Sequence, residues 1–176
     1  GAGTIGTAIL LMLQAYYQPE AILVTDPRPS SRDLAMKLGA TLAVDPGDGD
    51  PRILDQALAQ LGRRWVDAAF SVVTLDSVVN EALRIVKPSG TVVEVATFGD
   101  TSTIDLRLLQ TYERRLVGSV TYQRQDFERA LQYATDYPDK LRSLITSELD
   151  LAEAVNYFNN LRKARYGSDM KVVIYP

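Results

Sequence analysis

Gly1, Gly3 and Gly6 form a G-x-G-x-x-G turn, and Asp26 follows Gly6 by 20 residues at the end of the apolar run Ala21-Ile22-Leu23-Val24-Thr25. Glycines at that spacing let a backbone turn tightly and come close to a pyrophosphate. The helix that starts there presents amides to the same group, and a carboxylate after the next strand can accept hydrogen bonds from an adenosine ribose. The chemistry these residues suit is the holding of a dinucleotide. A carboxylate at the position of Asp26 favours a free 2′-hydroxyl over a 2′-phosphate, so NAD is expected over NADP. Arg28 and Arg32 lie close enough to work against that preference.

Other residues narrow the chemistry by their absence. The 176-residue chain has no cysteine and no histidine, so a zinc site built from it alone is not expected, and two common catalytic routes are closed. None of its nine tyrosines is followed by lysine four residues on, which excludes a reductase built on a Tyr-x-x-x-Lys pair. A methyltransferase, another glycine-turn fold with an acidic residue after its second strand, stays open as a rival, although Gly6 favours the dinucleotide. Glu94 lies within an apolar strand and reads either as a functional carboxylate or as a strand-face residue meeting solvent or a partner. Arg84 and Lys87 read as a solvated helix end. Glu113-Arg114-Arg115 reads as a loop face, and Trp65 as packing at a strand entrance.

The elements that must position these residues alternate. Helices are expected over 4–17, from a cap at Ser30 to Leu38, from Asp50-Pro51 to about Leu61, and from Thr74 or Asp76 to Val86. Strands are expected over 21–25, 41–44, 66–73 and, after a Pro88-Ser89-Gly90 turn, 91–96. Short apolar strands alternating with helices signal a parallel sheet covered on both faces. Beyond it, 105–111 reads as a short helix, 115–122 as a strand and 126–135 as an amphipathic helix. A helix then follows a capping box at 150–153, with the stripe Leu151, Ala154, Val155, Phe158 and Leu161. A polar linker over 162–168 precedes a terminal strand over 171–175.

The composition is that of one sizeable domain: 46% hydrophobic, 23% charged, net charge −3. It carries no basic footprint for nucleic acid and no Lys/Arg block for a membrane surface. The longest apolar stretch, 9–13, is far too short to span a bilayer, and no signal peptide is visible. A cytoplasmic location is the expectation.

Assembled, the chain resembles the coenzyme-binding part of a medium-chain dehydrogenase of the zinc-containing alcohol/polyol/threonine dehydrogenase type. The resemblance covers nearly the whole length. The glycine turn resembles that family's dinucleotide loop, and Asp26 its NAD-selecting acid. Leu34-Ala35-Met36-Lys37-Leu38-Gly39-Ala40 resembles its helix end, and 83–93 its entry to the strand under nicotinamide. Leu116-Val117-Gly118-Ser119 is similar to its L-x-G-S strand. Phe127-Glu128-Arg129-Ala130-Leu131, Leu144-Ile145-Thr146 and Lys171-Val172-Val173-Ile174 continue the series. Ser71-Val72-Val73-Thr74 departs from the acidic residue and glycine that usually end the family's fourth strand.

That resemblance implies a Rossmann-type doubly wound parallel sheet lacking its first strand, over residues 1–167, with 168–176 as a strand belonging to a catalytic domain. It implies pyrophosphate contacts from Gly1, Gly3, Thr4, Ile5 and Gly6, and an adenosine contact from Arg32. Val95, Ala96, Thr97, Gly118 and Ser119 would line nicotinamide, and Lys171 would face the cofactor phosphates. The implied cofactor is NAD, with zinc held only by the catalytic domain. The implied substrate is a small alcohol or polyol, oxidised by a full-length enzyme that is a homo-oligomer. The chain is accordingly expected to be a portion of a longer protein and to turn nothing over alone. Two further readings stand beside this one: a zinc-free NADPH quinone or enoyl reductase of the same superfamily, and a non-catalytic nucleotide-binding module.

Overall fold

The computed structural model describes residues 1–47, 49–99, 101–161 and 169–176, and the chain divides into two compact units, Gly1–Thr121 and Tyr122–Pro176. The linker expected over 162–168 lies outside the described residues.

The first unit is an α/β fold of Rossmann type. In chain order it contains α1 (Thr4–Tyr16), β1 (Leu23–Thr25), α2 (Pro29–Lys37), β2 (Leu42–Val44), α3 (Pro51–Gln60), β3 (Val66–Ser71), α4 (Asp76–Ile85), β4 (Val86–Glu94), α5 (Leu106–Gln110) and β5 (Arg115–Gly118). All strand pairs are parallel. β1 pairs with β2 in the register Leu23↔Leu42, and β3, β4 and β5 form a second ladder in that order. Among the described residues the two ladders are not hydrogen-bonded to each other. Helix α3 ties them together. Its buried Leu54 and Leu58, with Ile85, pack on Leu23 of β1, Val44 of β2 and Val66 of β3.

Local chemistry explains most of the boundaries. Asp50 caps α3 by accepting from the Arg52 amide at 3.0 Å, with Pro51 in the first turn, where its missing N–H is harmless. Helix α2 starts differently from the expectation at Ser30: Pro29 opens it and Arg28 is the capping residue, without a side-chain cap bond. The preset φ of proline nucleates the turn there. It ends at Gly39 (φ +101°), whose amide reaches the Met36 carbonyl at 3.0 Å while Ala40 reaches Ala35 at 2.9 Å, a left-handed closure that suits glycine. Helix α1 is apolar on nearly every face, which predicts a place buried between layers; only Thr7, Leu10 and Leu11 are buried, while Ile5 and Tyr16 are about half exposed (56% and 49%).

The core of this unit lies on one side of the three-stranded ladder. Val79, Ala82 and Leu83 of α4 pack on Val86 and Val92 of β4, with Ala69, Phe98, Ile104, Leu108, Leu109 and Leu116 around them. β4 begins at Val86, earlier than expected, because the Pro88-Ser89-Gly90 turn is a bulge inside the strand: Val66 pairs with Val86 and Ala68 already with Thr91. Arg114 corrects the loop-face reading of its charged run. It is 6% exposed, donating Nε to the Val86 carbonyl at 2.7 Å and its terminal nitrogens to Leu108 and Arg84 carbonyls at 3.2 Å. The guanidinium stacks over Tyr112 and Trp65, whose rings shield it while their faces attract its charge.

The second unit contains α6 (Arg124–Asp136), α7 (Pro138–Arg142), β6 (Ile145–Asp150), α8 (Leu151–Leu161) and β7 (Lys171–Tyr175). β6 and β7 pair in parallel, with Lys171 opposite Ile145. Asp169 ties the start of β7 down, accepting from Ser147 Oγ and, at 2.9 Å, from Tyr157 Oη. The capping box before α8 is present in its reciprocal half, Asp150 N–H to Glu153 Oε2 at 3.3 Å. Its expected stripe is less buried than its pattern suggests: Ala154 is buried, but Leu151, Val155 and Phe158 are exposed.

Candidate functional site: a glycine turn facing a buried carboxylate

The amino end of α1 and the carboxyl ends of β1 and β3 enclose a cavity of about 390 Å³, lined by Gly1, Gly3, Thr4, Ile5, Gly6, Asp26, Arg28, Val72 and Val73. Two features make the α1 end suited to an anion. Its capping residue is Gly3, which offers no side chain, and no acidic residue stands in its first turn. The positive end of the helix dipole faces this cavity, with Asp26 the one carboxylate on its lining. The turn is also closed tightly. A Cβ on Gly6 would fall on the Gly1 carbonyl oxygen, so only glycine fits where helix and incoming chain meet.

Asp26 lies across this cavity at the end of β1, 3% exposed. Its carboxylate accepts four bonds: from Ala2 N–H at 2.8 Å on Oδ2, from the Arg28 amide at 2.9 Å and Nε at 3.0 Å on Oδ1, and from Arg28 Nη2 at 3.0 Å on Oδ2. Burial alone pushes its pKa up, but the Arg28 hydrogen bonds and charge and the Ala2 amide outweigh it and hold the carboxyl below the usual range. Asp26 is thus an anion fixed in place at neutral pH.

The cavity brings together six of the residues singled out from sequence: Gly1, Gly3, Thr4, Ile5, Gly6 and Asp26. Arg32 stands behind it. Its Nη1 donates to the Asp26 carbonyl at 2.7 Å, the Pro27 carbonyl at 2.8 Å and Asp45 Oδ2 at 3.2 Å, bracing the turn that carries Asp26. Val95, Ala96 and Thr97 follow β4, and Gly118 ends β5 with Ser119 next to it. The two groups are adjacent, since Ser119 N–H reaches the carbonyl of Glu94, the residue before Val95, at 2.8 Å. They do not line the cavity. Lys171 belongs to the second unit. Sequence reasoning did not assign Val72 and Val73 to the site, and raised Arg28 only as a charge working against an NAD preference. Glu94 is a strand-end brace through Oε1, which accepts from Ala96 N–H at 2.8 Å, while its Oε2 is buried without a hydrogen-bond partner. It lines a second, mainly apolar pocket with Val79, Phe98, Ser102, Ile104 and Leu116.

Comparison with known proteins identifies the family. The family model of the zinc-binding dehydrogenases matches residues 4–136. The chain belongs to the zinc-binding dehydrogenase family. This family member is 27% identical over 162 residues to a 2-dehydro-3-deoxy-L-galactonate 5-dehydrogenase of Pseudoalteromonas atlantica, an alignment covering 92% of the chain and 46% of that protein. Among solved structures it superposes on an Escherichia coli alcohol dehydrogenase complexed with NADH (TM-score 0.80, 20% identity, covering 98% of this chain and 49% of that one). It also superposes on a zinc-binding dehydrogenase of Sinorhizobium meliloti bound to NADP (TM-score 0.81, 22% identity, 100% and 51% covered). The chain spans about half the length of the relatives it matches.

The family's two cofactors fit these residues unequally. Zinc does not fit: the sequence has neither cysteine nor histidine, and no three metal-ligating side chains converge among the described residues. A dinucleotide does fit, on the α1 end that faces the cavity, the Gly6 approach that a Cβ would fill, and the buried carboxylate on the same cavity. No helix among the described residues is long and apolar enough to cross a membrane.

Proposed function

We propose that this chain is the coenzyme-binding portion of an NAD-dependent dehydrogenase of the zinc-containing alcohol/polyol type, acting on a secondary alcohol in a cytoplasmic, homo-oligomeric full-length enzyme. In this reading residues 1–167 form the NAD-binding domain and 168–176 a strand serving the catalytic domain. One observation carries the proposal: Asp26 and the glycine turn of α1 face a single cavity, in a member of a dehydrogenase family.

Bound here, a dinucleotide supplies the hydride acceptor. The chain's own groups do the holding. First-turn amides of α1 receive the pyrophosphate, and Asp26 accepts from the adenosine ribose hydroxyls. The main chain at Val95, Ala96, Thr97, Gly118 and Ser119, aligned by the β4–β5 ladder, orients the nicotinamide. Holding the ring against substrate converts an encounter into a positioned reaction, the principal contribution of such a domain to rate.

Titration of the full-length protein with NADH, followed by quenching of intrinsic fluorescence, tests the reading. Saturable binding that Gly6→Ala abolishes supports it. A folded protein that binds no dinucleotide overturns it.

A further inference from the structure

Strands β4 and β5 run side by side as far as the pair Glu94↔Gly118. One further bond continues that ladder, from Ser119 N–H to the Glu94 carbonyl at 2.8 Å. On the other side of β4, Val95 N–H reaches the Ser71 carbonyl of β3, also at 2.8 Å. Amides along a strand point alternately to its two sides, so Ala96 N–H is the next to face β5. It is met by Glu94 Oε1, at 2.8 Å, in place of a β5 carbonyl. The carboxylate stands in for a strand partner where the ladder ends.

The carboxyl ends of neighbouring parallel strands are where such sheets receive ligands. Main chain that runs past the end of a ladder is free to move unless its polar groups are held. Glu94 holds both sides of this end. Its carbonyl takes Ser119, and its carboxylate fixes Ala96 within the run Val95-Ala96-Thr97. These are the two groups proposed above to orient the nicotinamide.

Packing does not account for an acid here. Glu94 shares its row of side chains with Val92, two residues back in the core, and lines an apolar pocket with Val79, Phe98, Ile104 and Leu116. An aliphatic side chain would suit those neighbours better. Ion pairing does not account for it either, since no group among the described residues donates to its buried Oε2. The use that remains is the acceptor on Oε1.

We propose that Glu94 is a positioning residue for hydride transfer: its carboxylate presets the main chain at 95–97 against that at 118–119, so that the nicotinamide ring is received in one orientation. The inference rests on the dinucleotide reading of this chain.

The test is titration of the full-length protein with NADH and with ADP-ribose, which lacks the nicotinamide. Unaltered protein is compared with Glu94→Met, a side chain of similar length without an oxygen acceptor. Glu94→Met should weaken NADH by about tenfold and leave ADP-ribose within about twofold, because Glu94 is not among the residues lining the Asp26 cavity. Glu94→Gln, which keeps a carbonyl for Ala96 N–H, should bind NADH within about threefold of the unaltered protein. Equal weakening of NADH and ADP-ribose would mean that Glu94 only supports the fold, and overturns the proposal. So does a glutamine variant as weak as the methionine one. Should neither variant fold, hydrogen exchange of the Ala96 amide in the unaltered protein decides: slow exchange without coenzyme supports a preset main chain, and rapid exchange overturns it. Binding of NADH and ADP-ribose that Glu94→Met leaves unmoved sinks this inference alone, whereas an unaltered protein that binds neither sinks the dinucleotide reading as well.

Discussion

The Ala2 amide and the Asp26 carboxylate, 24 residues apart, meet in a buried 2.8 Å hydrogen bond. It joins the glycine turn to the end of β1, so the group that would receive phosphates and the group that would receive a ribose are set at one spacing. Gly1 completes the link on the other side, lying against Val72 and Val73 beyond β3.

The two inner glycines of the turn should respond differently to alanine. At Gly6 the new Cβ lands on the Gly1 carbonyl oxygen, and backbone has to move. At Gly3 it meets only Arg28 Nη2, at ordinary contact distance. Gly6→Ala is expected to lower the melting temperature of the free protein and abolish coenzyme binding. Gly3→Ala should leave the melting temperature nearly unchanged and weaken NADH binding by about tenfold, because its Cβ stands where a pyrophosphate must approach the backbone. Paired thermal melts and titrations check this.

Asp26 sets an acid-dependent contribution to stability. Its folded pKa lies below the unfolded value of about 3.9. The contribution is therefore complete above that value and is lost as pH falls through the lower folded pKa. Asp26→Asn should cost about 1–3 kcal/mol at pH 7, the scale of leaving buried donors without their charged acceptor. The gap between variant and unaltered protein should close below pH ~4. Urea unfolding at pH 7 and at pH 3 measures it; a constant gap would contradict the assignment.

Arg114 holds three main-chain carbonyls that bring the ends of α4 and α5 to the start of β4. Arg114→Met keeps the bulk but strands those acceptors, at a cost of about 1–3 kcal/mol or more. Arg114→Lys should recover only part of that, since an ammonium cannot span the fork. Chemical denaturation of both variants gives the order.

Leu83, fully buried between α4 and the three-stranded ladder, should cost about 2–5 kcal/mol on truncation to alanine. The loss should appear in the urea midpoint without a change in the NADH-to-NADPH preference, because Leu83 is not among the residues lining the cavity that holds Asp26.

What the sequence revealed depended on how local each signal was. The glycine turn and Asp26 are legible because a fixed spacing carries them, and the Asp50-Pro51 start of α3 because capping needs only neighbouring residues. Arg28 is legible as a charge near Asp26 that works against an NAD preference, but its clasp on the carboxylate is not, since the chain contains three Asp-x-Arg clasps (Asp26–Arg28, Asp50–Arg52 and Asp105–Arg107) and nothing local tells the buried one from the two at the surface. Arg114 misled for a related reason. A charged run normally faces water, and here the shelter comes from Trp65, 49 positions earlier, as well as from nearby Tyr112. The apolar faces of α6 and α8 are legible in the sequence, yet Phe127, Leu131, Val155 and Phe158 on them are exposed; periodicity marks an apolar face without saying what covers it.

One apolar cluster, Leu54 and Leu58 of α3 with Ile85 of α4, meets Leu23 and Val44 of one ladder and Val66 of the other. The alignment of the two ladders is therefore a matter of side-chain fit: hollowing out Leu58 would let them slip against each other even with every backbone bond within each ladder intact.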